Sequence, residues 1–421
     1  MARTLDVWFY GSKAGRLVQE DSGRLLFAYD PVYLKLKQPW PLSVSMPLGA
    51  GEFDDRIARP FFSGLLPEDL IRIKIAQLLG VSEKNPFSLL EIVGGECAGA
   101  ISLYSEGTAP HKENPEDIQI LDEQHLDKIF EHLKRRPLFA GEKDVRLSLA
   151  GAQDKLAVRM IGDKLALMRG GAPTTHILKT LITGREGIKN SVHNELFCMM
   201  LAARCGVSAP RAQLRHTRKE PYLLVERYDR KWQGKEVIRL HQEDFCQALS
   251  VPPENKYERE GGPGIPACLA VIQQHCVQPL PDRIAFLNTV IFNYLIGNAD
   301  AHGKNFSLLH EQGKPRLAPI YDLLSTAVYP DLASKMAMKI GGKYAPGDIH
   351  LRHWHRLVAD SAVARKAIEK SLVDMAKRTL DQATKLDAEL KKEKVTSPVF
   401  DLILGVIQER STRILSEAQG R

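Results

Sequence analysis

The sequence predicts an α+β chain of two lobes, β-rich in its first part and mainly helical in its second. Short apolar runs bounded by Gly, Asn, Asp and Pro recur up to about residue 240. From there apolar residues fall at helical spacing, most clearly over about the last hundred residues. With 421 residues the chain is long enough for two to three domains and a sizeable core. Its six cysteines, Cys97, Cys198, Cys205, Cys246, Cys268 and Cys276, are scattered with no C-x-x-C pair. That excludes a disulfide scaffold or a Cys-based zinc site as the source of stability and fits a reducing, cytoplasmic setting.

Taken in order, Leu5 to Tyr10 and Arg24 to Tyr29 read as strands, with Gly11-Ser12-Lys13 as the turn between them. The first ten residues contain Asp6 and no small-residue cleavage site, so they read as a strand and not as an export signal. Pro67 sits where a helix can start, and Asp69 to Leu79 continues at helical spacing. Cys97 to Tyr104 closes the first segment, 1–104, as a strand. The next stretch, polar and proline-containing, reads as a linker, 105–122, before a helix at about 123–134. In segment 123–235, Ile161-Gly162-Asp163-Lys164 joins two strands as a hairpin, and His176 to Thr180 and Pro221 to Tyr228 are further strands. Asn190 to Arg204 reads as a helix between them, ended by Cys205-Gly206. Segment 236–421 is the helical lobe.

A hydrophobic fraction of 44% with 26% charged residues is that of a soluble globular protein, and no run of about 18 apolar residues offers a membrane span. Net charge is +7, from 58 Lys+Arg against 51 Asp+Glu. Such a balance permits a nucleic-acid-binding face, but there is no zinc-finger spacing and no RNA-binding signature; a solvated surface with extra lysines is the simpler reading.

The chemistry concentrates in Ile296-Gly297-Asn298-Ala299-Asp300-Ala301-His302-Gly303-Lys304-Asn305. Asp300 and Asn305 stand at the D-x-x-x-x-N spacing of a kinase catalytic loop, in which the carboxylate meets the acceptor hydroxyl and the carboxamide oxygen coordinates magnesium. Alone this pattern is weak, and turn and cap residues would produce it too. Its context strengthens it: an apolar helix precedes it, two short strands come after it, and Tyr321-Asp322-Leu323 stands directly beyond them, where a kinase carries its second magnesium-binding aspartate. Upstream, Lys179 closes an apolar strand as a point charge for ATP phosphates. Glu195 lies sixteen residues later on a helix, as a partner for that lysine or as a solvent-facing acid. Glu226-Arg227-Tyr228 ends the next strand, where backbone groups can receive an adenine edge. No G-x-G-x-x-G loop precedes Lys179. In its place Ser148-Leu149-Ala150-Gly151-Ala152-Gln153-Asp154-Lys155 is a small-residue turn whose N–H groups can cradle phosphate, or an ordinary tight turn.

Several rarer strings occur in one order along the chain: Phe61-Phe62-Ser63-Gly64-Leu65-Leu66-Pro67-Glu68, Val93 to Ala100, Leu147 to Lys155, Val225 to Arg230, His241 to Gln247, Gly297 to His302 and Ala318 to Asp322. On these the chain resembles the HipA family, bacterial serine/threonine protein kinases that act as toxins of type II toxin–antitoxin modules. The resemblance implies a bilobal, protein-kinase-like fold with 123–235 as the nucleotide-binding lobe. It implies Asp300 as catalytic base and Asn305 and Asp322 as Mg2+ ligands. For ATP it implies Lys179, the loop Ala150, Gly151, Ala152, Gln153, Asp154 and Lys155, and the hinge at Glu226, Arg227 and Tyr228, with His302 and Tyr321 as further nucleotide-site positions. Ser148 matches a serine whose autophosphorylation ejects the loop and inactivates the enzyme.

The resemblance also implies a small helix-turn-helix antitoxin of the HipB kind, operator DNA through or beside it, and a protein substrate such as an aminoacyl-tRNA synthetase, the glutamyl one in known members. Asp154 in place of Glu and Leu323-Leu324 after the metal aspartate depart from the pattern without removing a needed group. A small-molecule kinase and a non-catalytic, DNA-bound corepressor are the alternative readings. His350, His353 and His355 could form a metal cluster, but no cysteine or paired carboxylate supports one, and helix-surface histidines are the plainer reading.

Overall fold

The computed structural model describes residues 2–111, 113–140, 146–151, 153–182 and 187–420. The chain forms two compact units. Unit 1 holds residues 1–180, 215–254 and 308–315; unit 2 holds 181–214, 255–307 and 316–421.

Unit 1 opens with β1 (Arg3–Phe9), β2 (Ser12–Gln19), β3 (Leu25–Tyr29), β4 (Glu52–Phe53) and β5 (Ile101–Ser105), ordered β4-β3-β2-β1-β5 in one sheet. The expected strands at the two ends of this stretch are present, but 11–13 is not a turn leading directly to Arg24. The chain turns at Tyr10 and Gly11 and lays down β2 at once, paired antiparallel to both β1 and β3. With Gly15 at its centre and few apolar residues, Ser12–Gln19 has a faint strand pattern. Gly15 is required because a Cβ there would lie 2.3 Å from the Ala28 carbonyl oxygen. The helix Asp55–Gly64 is equally faint in the sequence, since Pro60 lies inside it; Asp54 caps it by accepting from the Arg56 N–H. Asp69–Leu79 is a helix as expected, closed by Gly80 in the left-handed region.

The second sheet joins β6 (Ile118–Leu121), β7 (Lys155–Ile161), β8 (Lys164–Met168), β9 (His176–Lys179), β10 (Ala212–His216) and β11 (Pro221–Glu226) in the order β10-β11-β9-β7-β8-β6. The β7–β8 hairpin turns at 162–163, within the expected segment. Leu156, Ala157, Val158, Leu178 and Leu224 from this sheet belong to the same buried cluster as Leu5 and Phe27 from the first and Phe61 from the helix Asp55–Gly64. An ion network adds polar ties: Glu96, wholly buried, meets Arg227, Arg230 and Arg239, and Asp229 meets Arg227 and Arg230.

Unit 2 is helical. Its helices Ser191–Arg204, Ile265–His275, Pro279–Ile296, Ala362–Lys392 and Pro398–Gln419 pack around Phe197, Leu295, Leu386, Phe400 and Ile403. Phe197 and Phe400 meet with ring centroids 5.0 Å apart. The three histidines are not a metal cluster: among the described residues no group of three or more candidate ligands occurs. His350 Nδ1 and His355 Nε2 each lie 2.7 Å from a carboxylate, of Glu417 and Glu369 respectively, while the buried His353 accepts the His350 N–H and caps a short helix. All six cysteines are buried and unbridged.

Candidate active site

The helix Pro279–Ile296 delivers the turn that carries Asp300 and Asn305. It ends at Gly297, whose φ of +78° lies in the left-handed region. A Cβ at Gly297 would fall 2.8 Å from both Ala327 and Val406, so only glycine fits. Asn298 then anchors the rest of the turn. Its buried carboxamide donates to Asn293 Oδ1 at 2.9 Å and to the Asp322 carbonyl at 3.4 Å, and its oxygen accepts from the Asp300 N–H at 3.1 Å. Thr326 Oγ1 accepts from the Ala299 N–H at 2.8 Å and donates to the Gly297 carbonyl at 3.1 Å. These bonds fix the Asp300 and Asp322 backbones to one anchor. Asn298 lies inside the catalytic-loop string, but residue type alone does not single it out.

Within this frame Asp300 is exposed, and His302 and Asn305 are buried. The His302 N–H donates to the Asp300 carbonyl at 2.8 Å and the Asn305 N–H to the His302 carbonyl at 2.9 Å, closing a short 3-10 turn. Asn305 Oδ1 is buried with no hydrogen-bond partner in the protein. An orphaned carboxamide oxygen of this kind is costly unless a ligand answers it. Asp322, at φ +54°, adopts a left-handed conformation that aspartate tolerates better than most residues. Asn305 and Asp322 are oxygen donors of the kind magnesium takes, so they fit that ion. The Tyr321 hydroxyl meets Ser307 Oγ at 2.8 Å and donates to the Lys304 carbonyl, which bolsters the turn next to Asn305. Glu195 is buried in the helix Ser191–Arg204, which rules out a solvent-facing acid. The neighbouring Asn194 accepts from the Ser325 N–H at 2.8 Å and donates to the Ser325 carbonyl at 3.0 Å.

In unit 1, Lys155 and Lys179 are direct cross-strand partners on β7 and β9, and both are buried. The register therefore sets two lysines side by side on one face of the sheet. The register needed to see this pair cannot be read from the sequence. The Lys155 ammonium donates to the Ala150 carbonyl. Gly151, at φ +106°, approaches that ammonium so closely that a Cβ would lie 2.6 Å from it. Gln153 donates to the Thr180 carbonyl at 2.6 Å, and the Asp154 carbonyl accepts from the Thr180 N–H at 3.3 Å. Burial pushes the Asp154 carboxyl up, against the pull of Lys74. Ala152 lies outside the described residues. Ser148 is wholly buried, its hydroxyl donating to the Leu65 carbonyl at 2.8 Å.

At the expected hinge, Glu226 is exposed at the end of β11 and the Tyr228 hydroxyl donates to Gln242 Oε1. The Arg227 side chain is turned into the scaffold, so only its backbone is left for the expected hinge role. Its guanidinium is buried in a fork on Asp229, at 2.9 and 2.8 Å, with further bonds to Thr174, Glu96 and the Cys97 carbonyl. Its N–H is taken by the Thr175 carbonyl at 2.9 Å. The Arg227 side chain is therefore scaffold: a strand end carrying an apolar run and a charged triplet does not reveal which charge turns inward.

Comparison with known proteins agrees along the whole chain. The model of the HipA N-terminal domain matches residues 5–104, and that of the HipA-like C-terminal domain matches 147–383. The Sinorhizobium fredii protein Y4mE is 42% identical over 388 residues, 91% of this chain and 92% of that one. The serine/threonine-protein kinase toxin HipA of Shewanella oneidensis is 30% identical over 351 residues, covering 80% of this chain and 79% of that protein. The HipA, HipB and operator DNA complex of Shewanella oneidensis contains a chain that superposes with a TM-score of 0.81 at 26% identity, over 99% of this chain and 97% of that one. The chain thus has the expected kinase-like α+β fold, and it belongs to the HipA family of protein kinases.

Proposed function

We propose that this chain is an ATP-dependent serine/threonine kinase toxin, and that Asp300 is its catalytic base. The observation that carries the reading is the turn from Gly297 to Asn305: Asp300 is exposed while Asn305 Oδ1 is buried without a partner, both on one hydrogen-bonded frame. Asp300 takes the proton of the acceptor hydroxyl as that oxygen attacks the γ-phosphorus in line and ADP departs. Asn305 and Asp322 hold Mg2+, which neutralises charge on the phosphates. Lys155 and Lys179 supply fixed positive charge to those phosphates, with the loop Ala150, Gly151, Ala152, Gln153 and Asp154 over them. Glu226 and Tyr228 receive the adenine, and His302 and Tyr321 complete the nucleotide site.

Ser148 is the autophosphorylation site. Buried and bonded to Leu65, it can accept a phosphoryl group only after its segment leaves this position. Once there, a phosphate of about −1.5 to −2 charge could not return to a wholly buried place. This is a switch that turns the enzyme off. The solved HipA, HipB and operator DNA complex supports a helix-turn-helix antitoxin of the HipB kind, and operator DNA with it, as partners. The substrate is a protein of the translation apparatus such as an aminoacyl-tRNA synthetase. No helix among the described residues is long and apolar enough to cross a membrane, in keeping with work in the cytoplasm. Intact-mass spectrometry of wild type and Asp300→Gln, each incubated with Mg-ATP, tests the reading. A gain of one phosphate on wild type alone, mapped to Ser148, is expected. No gain on a starting sample that is unphosphorylated and binds ATP would overturn the self-phosphorylation.

A further inference from the structure

Tyr257 donates its hydroxyl to Asp300 Oδ1 at 2.6 Å. This is the bond type that an acceptor Ser or Thr hydroxyl must make with the base before it gives up its proton. We infer that Tyr257 is a specificity-determining positioning residue: its hydroxyl occupies the acceptor's place on Asp300, and an incoming hydroxyl must displace it. The inference rests on the reading of Asp300 as base.

The phenol is held from several sides. Its ring stands edge-on to His302, with centroids 5.1 Å apart and planes at 87°. The Arg259 guanidinium lies 5.0 Å and the Lys256 ammonium 5.6 Å from the ring centroid. The chain on either side is tied down as well. The Lys256 carbonyl accepts from the Gly303 N–H of the catalytic turn at 3.3 Å. The Glu258 N–H donates to the Ala337 carbonyl at 3.3 Å, and the Glu258 carboxylate accepts from the Lys339 N–H at 2.5 Å. A ring clamped in this way keeps its hydroxyl on Asp300 without becoming a mobile acceptor itself. Water, a small and weakly held competitor, does not displace it, whereas a docked protein hydroxyl does. The hydroxyl thereby suppresses transfer to water, in which a water oxygen bonds to the γ-phosphorus, the bond from that phosphorus to the bridging oxygen breaks, ADP leaves, and the proton passes to Asp300.

The test is ADP release from Mg-ATP by the full chain with no added protein acceptor and with Ser148→Ala in every sample, so that self-phosphorylation does not contribute, comparing Tyr257 unchanged, Tyr257→Phe and Asp300→Asn. Phenylalanine keeps the ring and its neighbours and deletes only the hydroxyl. Tyr257→Phe is expected to raise the initial rate at saturating ATP by about tenfold, the scale of a lost hydrogen bond to a charged group. The KM for ATP should stay within about twofold, and a merely structural residue would not raise turnover at constant KM. An unchanged or lower rate for Tyr257→Phe, with Asp300→Asn inactive, would overturn this inference and leave the base assignment standing. Full hydrolysis by Asp300→Asn would remove the base assignment and this inference together. Phosphate mapped to Tyr257 itself would also overturn it, because the residue would then be an acceptor.

Discussion

Two polar clusters in this molecule obey opposite rules. In unit 1, Glu96, Arg227, Asp229, Arg230 and Arg239 form a buried network in which each charge faces one of opposite sign. In unit 2, the turn from Gly297 to Asn305 leaves one carboxylate exposed, one buried carboxamide oxygen without a partner, and a nearby aspartate in the left-handed region. The first network is closed on itself in charge, its members ion-paired with one another even where Glu96 Oε2, Arg230 Nε and Arg239 Nε lack a hydrogen bond. An unsatisfied turn costs stability and keeps its polar atoms for chemistry. The contrast separates charges that hold the fold from the groups proposed to act, and it places the Arg227 side chain, adjacent to the proposed hinge, in the first group.

The largest expected effect comes from Asp300→Asn. It should lower the phosphoryl-transfer rate by about 10²- to 10⁴-fold, the usual range for loss of a general base. Stability should change by no more than about 0.5 kcal/mol, because the side chain is exposed. Initial rates and a thermal melt of one preparation check both halves.

Glu96→Gln should do the reverse, costing about 3 to 5 kcal/mol of folding stability by leaving buried guanidinium groups without their counter-charge. Burial alone would raise the Glu96 carboxyl, but Arg230, Arg239 and Arg227 outweigh it and bring it down to about 2. The folded form is thus the more acidic, so the stabilisation is fully present above the ordinary value of 4.5 and is lost as pH falls from there through about 2. Denaturant midpoints at several pH values should fall steeply below pH 4.5 for wild type and less steeply for Glu96→Gln. Equal slopes would show that Glu96 is not the group that titrates.

Much of this was legible in the sequence where chemistry and local periodicity coincide. Asp300, Asn305 and Asp322 could be named because their spacing is local and their residue types are few. Strands β7, β8, β9 and β11 and the helix Ser191–Arg204 could be placed because their apolar residues cluster locally, in short runs for the strands and from Leu196 to Ala203 in the helix. The features that could not be read depend on partners distant along the chain. The pairing of Lys155 with Lys179 is a matter of register. The inward turn of Arg227 depends on Glu96, 131 residues away. Strand β2 was hidden by Gly15, whose reason lies on β3. Tyr257 sits 43 residues from Asp300 in a segment with no motif.

A smaller effect is expected at Ser148. Ser148→Ala removes one buried hydrogen bond to the Leu65 carbonyl and should cost about 1 kcal/mol of stability. It should also abolish the phosphate gain seen on incubation with Mg-ATP. Survival of that gain at another residue would separate the buried serine from the proposed switch.

The smallest expected change in stability is the most informative about the contrast. Asn305→Ala deletes a buried carboxamide oxygen that no protein group answers. In the ion network such a deletion would strand a partner, whereas here it strands none. The variant should therefore be as stable as wild type or up to about 1 kcal/mol more stable, since the cost of an unmet polar atom is offset only by the small cavity left behind. Function should move the other way, with the Mg2+ concentration for half-maximal activity raised at least about tenfold, as expected when a metal site loses one ligand. Metal-free thermal melts together with a magnesium titration of activity separate the two effects. If Asn305→Ala melts several degrees lower without added metal, the carboxamide is part of the scaffold and the division between the two clusters fails at this residue. If it melts as wild type does and needs more magnesium, the turn has been left unsatisfied for the sake of its ligand.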